Sequence, residues 1–213
     1  MGFAGFPRET VAFLAGLREH NDRAWFDAHR AQYDAFYVGA GREFVLAAAE
    51  RLQEISPGLR GEPKVLGSIG RINRDTRFSV DKRPYKDHLD IGFWEGERKR
   101  SPSGLFLRIT PETCGVGLGA PPFDKPRLAA FRTAVADSEH GPALVAAVAA
   151  VEAAGHAVLG EEFKRTPAGY GELEPERERL LRFAALWSVN EQPIGDWLMG
   201  RRRWSVRSAT GGR

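Results

Sequence analysis

The chain is poor in cysteine: Cys114 is the single one among 213 residues. One thiol cannot form an intramolecular disulfide, and a cysteine-based zinc site needs several thiolates. Both kinds of site are therefore excluded within one chain. No general base stands near Cys114 in the sequence, so we interpret this thiol as structural rather than nucleophilic.

Long apolar runs are also missing. The longest, residues 143–151, is far shorter than the ~20 residues that a helix needs to span a bilayer. The first residues lack the apolar segment of a secretory signal. We therefore expect a soluble, cytoplasmic protein without a membrane partner.

Metal-binding patterns are scarce as well. None of the five histidines stands in a His-Glu-x-x-His arrangement, and His88 with Asp90 supplies at most a fragment of a zinc site. A nuclease-like Mg²⁺ site is conceivable from a set of carboxylates beside Lys82: Asp75, Asp81, Asp90 and Glu95. These carboxylates lie next to arginines, and pairing with them is the interpretation we favour. We predict no metal and no cofactor.

Charge, by contrast, is plentiful and unevenly distributed. The formal net charge is +3, with 31 basic and 28 acidic side chains. Residues 64–108 carry a net charge of +5 and residues 201–213 another +5, whereas the segments before and between them are acidic. This segregation indicates a local anion site and a basic tail, not a uniformly basic protein.

Periodicity predicts helices at both ends of the chain and strands in the middle. At 42% hydrophobic residues the chain can bury one core. Helical spacing begins after Pro7, and a second helix is predicted to begin at Asn21 as N-cap, with its buried stripe at these positions: Trp25, His29, Tyr33 and Phe36. A third helix is predicted for residues 42–55, and further helices after Asp124.

Between about residue 64 and residue 120 the apolar residues alternate with polar ones. The pattern predicts a short strand over residues 65–72 and three more that include Ile91, Leu107 and Val116. The fold class is therefore α+β: a single domain whose central, mainly antiparallel sheet is flanked by N-terminal and C-terminal helices. We place this domain at residues 1–204 and expect residues 205–213 to be a disordered basic tail.

The densest group of functional side chains lies in residues 71–86, called the basic motif from here on. It contains six basic residues and two acidic ones in sixteen positions. Asp75 and Asp81 stand where each can hold a neighbouring guanidinium, and the remaining positive charge suits phosphate or carboxylate, which arginine binds bidentately. An internal ion-pair network that binds nothing is an equally good interpretation from composition alone.

Three segments resemble the uncharacterised bacterial and fungal family called domain of unknown function 2461. The central one is Arg71-x-x-Arg74-Asp75-x-Arg77-Phe78-x-x-Asp81-Lys82-x-Pro84-Tyr85-Lys86. The others are His20–Phe26 and Phe163–Tyr170, so that the resemblance extends from about Phe6 to Trp197. The family has no settled activity, so the resemblance implies no catalytic residue and leaves open whether the chain is an enzyme.

The resemblance favours function at the basic motif. We predict a site that binds a phosphate- or carboxylate-bearing small molecule through these residues: Arg71, Arg74, Asp75, Arg77, Asp81, Lys82, Tyr85, Lys86, Lys164 and Arg165. One alternative is a nucleic-acid-binding module, with nuclease-like cleavage as a variant. The other is a scaffold whose motif is an internal ion-pair network. The oligomeric state is not predicted.

Overall fold

The computed structural model describes residues 3–97, 103–120, 122–160 and 163–200 of the chain. The helical elements are α1 (Arg8–Glu19), α2 (Arg23–Ala28), α3 (Arg30–Gln32), a π-helical segment (Tyr33–Gly39), α4 (Ala40–Ile55), α5 (Lys125–Ala136), α6 (His140–Ala153) and α7 (Pro175–Leu181). The strands are β1 (Leu59–Arg60), β2 (Leu89–Glu95), β3 (Gly104–Ile109), β4 (Thr113–Ala120), β5 (Val158–Leu159) and β6 (Leu186–Pro193).

The six strands form one antiparallel sheet in the order β1-β2-β3-β4-β6-β5. Helices precede and follow the three sequential strands β2, β3 and β4. The predicted α+β class, with an antiparallel sheet between N-terminal and C-terminal helices, is therefore confirmed. The predicted tail at residues 205–213 lies outside the described residues.

Backbone contacts divide the described residues into two compact units. The first comprises residues 3–92, 107–114 and 192–200, and the second comprises the remainder. No helix among the described residues is long and apolar enough to cross a membrane.

The first unit has a core of aromatic and aliphatic side chains from α1, the π-helical segment and β2. Leu14 and Leu17 of α1 are fully buried, as are Tyr37 and Leu89. Thr10 on the same face of α1 is also buried, and its hydroxyl donates to the Phe36 carbonyl at 2.7 Å. The apolar spacing of α1 therefore packs as predicted, and its one inward polar group is satisfied.

The second helix departs from the prediction. Asp22, not Asn21, is its N-cap, because the Asp22 carboxylate accepts the Trp25 N–H at 2.9 Å. The helix ends at Ala28, and the chain continues through α3 into the π-helical segment. His29 is half-buried rather than a core histidine, and its ring stacks on Trp25 at 3.9 Å between centroids.

The strand predicted for residues 65–72 is wrong. Residues 64–70 turn back on themselves, with the Lys64 carbonyl accepting the N–H groups of both Gly67 and Ile69. Leu66 occupies the left-handed region with φ of 64°. Isolated bridges such as that between Ile69 and Ile91 replace a continuous ladder.

The second unit packs α5, α6 and α7 around its own apolar cluster: Val135, Val148, Val158, Leu180, Leu181 and Phe183. Arg177 on α7 is buried and donates through Nε to the Val135 carbonyl and through Nη2 to the Asp137 carbonyl, both at 2.8 Å. A Cβ on Gly141 would lie 2.6 Å from Arg177 Nε. The glycine therefore makes room for the guanidinium that caps the end of α5.

Candidate functional site

The basic motif folds as a loop whose two ends are joined by backbone hydrogen bonds. Arg74 N donates to the Pro84 carbonyl and Lys86 N donates to the Ile72 carbonyl, each at 2.8 Å. The Ile72 side chain is buried beneath this junction. Residues 75–83 are thus held at both ends while most of their side chains remain exposed.

Tyr85 ties the loop to the N-terminal helices. Its backbone N–H donates to Asn21 Oδ1 at 2.9 Å, and its carbonyl accepts from Asn21 Nδ2 at 3.1 Å. The Tyr85 ring is buried and stacks on Phe26 with 4.4 Å between centroids. Burial raises the pKa of the Tyr85 phenol. Two of the three segments that carry the family resemblance are therefore joined through one asparagine side chain.

Asp75 holds Arg77 in a two-point ion pair. Arg77 Nε lies 3.0 Å from Asp75 Oδ1 and Nη2 lies 2.7 Å from Oδ2. Hydrogen bonds from Arg77 hold the pKa of Asp75 below its ordinary value, and the charge of Arg71 acts in the same direction. The Arg77 side chain nevertheless remains 77% exposed.

Asp81 holds two arginines. Arg83 donates to it through Nε at 2.9 Å and Nη2 at 2.8 Å, and Arg74 Nη1 lies 2.8 Å from the same carboxylate. Hydrogen bonds from Arg83, and then from Arg74, hold the pKa of Asp81 far below its ordinary range. Arg74 is the more enclosed of the two, with 24% of its side chain exposed against 51% for Arg83.

The other cations of the motif differ in how fully they are engaged. Lys82 Nζ donates to the Thr76 carbonyl at 2.9 Å. The exposed Arg71 guanidinium makes no hydrogen bond or ion pair with any residue that the structure describes, and its interaction with Asp75 is purely electrostatic. Residues 71–83 therefore carry five cations against two carboxylates, with one guanidinium uncommitted.

A second network lies beside the motif and centres on Asp90 in β2. Its carboxylate faces Arg108 Nε at 2.7 Å, Lys86 Nζ at 3.3 Å and His88 Nε2 at 3.4 Å. Burial acts to raise the pKa of Asp90, but the hydrogen bonds from His88 and Arg108 outweigh it and hold the pKa far below its ordinary range. Lys86 is therefore engaged by a carboxylate outside the motif.

The same network continues toward α1. His88 Nδ1 lies 3.3 Å from Asp87, which accepts from Arg18 Nε at 2.8 Å. Arg18 also pairs with Glu112 through Nη1. Because carboxylates alternate with cations throughout, this network is close to charge balance.

The predicted contribution of Lys164 and Arg165 stays a prediction. Both side chains are exposed, and both belong to the second unit. The preceding residue, Phe163, lies under the Arg132 guanidinium, which is 4.9 Å from its ring centroid. Among the residues that the structure describes, no group of three or more His, Cys, Asp and Glu side chains is placed to hold a metal ion.

Two apolar side chains in the middle of the basic motif were not singled out from the sequence. Phe78 is 95% exposed and Val80 is fully exposed. The Arg77 guanidinium lies 5.8 Å from the centroid of the Phe78 ring. Loop tips usually carry small polar residues. The signal in the sequence was therefore an aromatic residue, Phe78, directly after Arg77.

Comparison with known proteins identifies the family of the chain. A model of the family described as conserved hypothetical protein (DUF2461) matches residues 9–198. A search of curated proteins and a search of solved structures each find no match. The family match covers most of the chain, including the basic motif and the segment of Asn21. The chain belongs to the family of conserved hypothetical proteins called domain of unknown function 2461.

Proposed function

We propose that the basic motif binds a phosphate- or carboxylate-bearing small molecule. The observation that supports the proposal is the uncommitted Arg71 guanidinium beside two arginine groups that carboxylates already hold in place. Residues 71–83 keep a net charge of +3 after both carboxylates are counted. An anion would relieve the mutual repulsion of these cations.

The ion pairs of the motif favour binding because they orient the arginines in advance. Asp75 engages Nε and Nη2 of Arg77, and Asp81 engages the same two nitrogens of Arg83. A guanidinium has five N–H donors, so the Nη1 group of each arginine stays available. Less side-chain entropy is then lost when an anion binds.

The alternative of an internal ion-pair network is supported by the same pairs, since Arg74 and Arg77 both have carboxylate partners. Arg71 separates the two interpretations. Replacing Arg71 should leave anion binding unchanged if the motif is a scaffold and should weaken it if the motif is an anion site.

The test is a thermal-shift titration with phosphate, pyrophosphate and citrate at constant ionic strength. We expect the melting temperature to rise with the concentration of at least one of these anions, because a ligand that binds only the folded state stabilises it. Arg71→Gln should weaken the affinity by about tenfold, the usual effect of losing one charge-assisted hydrogen bond.

The matched control is Arg42→Gln, which removes an equally exposed arginine from α4 in the same unit. This variant should retain the response of the parent protein. If none of the three anions stabilises the protein more than chloride does, or if both variants respond alike, the proposal is wrong and the motif is a scaffold.

A further inference from the structure

The side chains at the middle of the basic motif combine a bare ring with separated positive groups. In the sequence, Phe78 and Val80 stand between two carboxylates that hold arginines. Asp75 holds Arg77, and Asp81 holds Arg74 and Arg83. Single exposed apolar residues are common on protein surfaces. A phenyl ring that is almost fully exposed and lies beside an arginine that a carboxylate holds in place is a more specific arrangement.

The two groups of cations are suited to more than one phosphate. Asp75 holds one guanidinium and Asp81 holds two, so the paired arginines of the motif lie at two centres. The net charge of +3 belongs to residues 71–83 as a whole, since the Asp75–Arg77 pair is itself neutral. A mononucleotide or a single carboxylate would occupy one centre. A chain with regularly spaced phosphates would engage both and would release counterions at each.

The Phe78 ring indicates that the ligand carries bases as well as phosphates. Its guanidinium neighbour, Arg77, lies 5.8 Å from the ring centroid, and 95% of the residue surface is open to solvent. Nucleic-acid bases stack on such rings, and stacking contributes without regard to sequence. In a duplex the base faces are already stacked on each other, so an exposed ring selects single strands.

We infer that the phosphate-binding groups of the basic motif also bind single-stranded nucleic acid, with its phosphates on the two arginine groups and one base stacked on Phe78. This inference rests on the proposed function, since it assumes that the motif binds phosphate. An acidic protein would match the charge but would leave the ring without a flat partner.

The experiment compares two fluorescent ligands by anisotropy: a ten-nucleotide thymidine strand and an abasic strand of the same length. Both carry the same phosphates, so any difference in affinity comes from the bases. We expect the protein to bind the thymidine strand at least about fivefold more tightly, the lower end of what one stacked base contributes. Phe78→Leu should abolish this difference and leave binding of the abasic strand unchanged.

Two further variants make the result specific to the ring. Phe78→Tyr keeps an aromatic face and should keep the preference for bases. Val80→Ala removes exposed apolar surface two residues away without touching a ring and should keep it too. If Val80→Ala reduces affinity as much as Phe78→Leu, the contact is a general apolar one and the inference is overturned.

The measurements can refute base stacking without refuting phosphate binding. Equal affinity for the thymidine and abasic strands, with Arg71→Gln weakening both, would refute base stacking while supporting phosphate binding. Binding of neither strand, together with no stabilisation by pyrophosphate, would refute both. Equal affinity for a duplex of the same sequence would overturn the selection of single strands.

Discussion

Individual side chains hold the basic motif in its conformation. Asn21 pairs with both backbone polar groups of Tyr85 and also donates to the Leu17 carbonyl at 3.0 Å. Asp75 and Asp81 each fix the arginine that stands two residues later in the sequence. The loop thus depends on one amide and two carboxylates, each of which satisfies several donors or acceptors.

Replacing Asn21 tests whether its side-chain amide holds the loop in place. Asn21→Ala leaves the Tyr85 N–H and carbonyl without their partner in a part-buried place. We expect the free energy of unfolding to fall by about 1–3 kcal/mol, the usual effect of leaving such groups unsatisfied. Urea denaturation measures it.

The control is Asn73→Ala, the same change at an exposed asparagine inside the basic motif. It should alter stability by less than about 0.5 kcal/mol, as surface substitutions usually do. Equal losses of unfolding free energy for the two variants would show that the Asn21 side chain does not hold Tyr85 in place.

The role of Asn21 could not be predicted because the local pattern offered a simpler interpretation. Asn21 and Asp22 are both good N-cap residues, and only one of them can cap the helix. Asp22 takes the cap, and the asparagine amide pairs with Tyr85, 64 residues later in the sequence. A hydrogen bond over that separation leaves no trace in periodicity.

Among the elements, the strands β2, β3 and β4 were easier to predict than the second helix, whereas the strand predicted for residues 65–72 was wrong. Alternating apolar residues identified β2, β3 and β4, because part of one face of each strand packs on a core. In the second helix, a break at His29 and the π-helical segment change the helical period. As a result, Phe26 and Tyr37 are buried in place of His29 and Phe36.

The start of α6 gives a pH prediction. Asp137 accepts the backbone N–H groups of Glu139 and His140, at 2.9 and 2.8 Å, and the His140 ring nitrogen lies 2.8 Å away. The His140 backbone N–H first, then its side chain, lower the pKa of Asp137 from 3.8 to about 2. A carboxylate whose pKa is lower in the folded state stabilises it above pH 4 and loses this effect toward pH 2.

Asp137→Asn should therefore destabilise the protein at pH 6 and should destabilise it less at pH 3. The amide still accepts the backbone hydrogen bonds but carries no charge. Urea denaturation of both proteins at the two pH values gives the difference in the free energy of unfolding. A difference that is the same at both pH values would contradict the conclusion that the ionised Asp137 carboxylate stabilises the folded state.

At the scale of the whole molecule, the distribution of charge matters more than its sum. The chain carries only +3, yet residues 71–83 alone carry +3 in the first unit. Within residues 3–200, attraction of anions is therefore expected to be strongest at the basic motif, and it weakens with salt as exposed charges are screened. The sequence was sufficient to predict this segregation because formal charges are additive along the chain.

The family and the fold class were also predictable from the sequence. The resemblance to the family rested on contiguous strings of residues, and the class follows from the order of helical and strand periods. The pairing inside the motif was predictable only in part. Asp75 and Asp81 stand near several arginines in sequence, but which arginine each holds depends on how the loop closes between Ile72 and Lys86.

The most direct test of an anion site in the basic motif is a titration with phosphate, followed by amide correlation spectra of the ¹⁵N-labelled protein at constant ionic strength. We expect the largest saturable shift changes within residues 71–83, and we expect Arg71→Gln to move their saturation to about tenfold higher phosphate concentration. Shift changes of equal size throughout the protein, or saturable changes confined to other residues, would contradict this expectation.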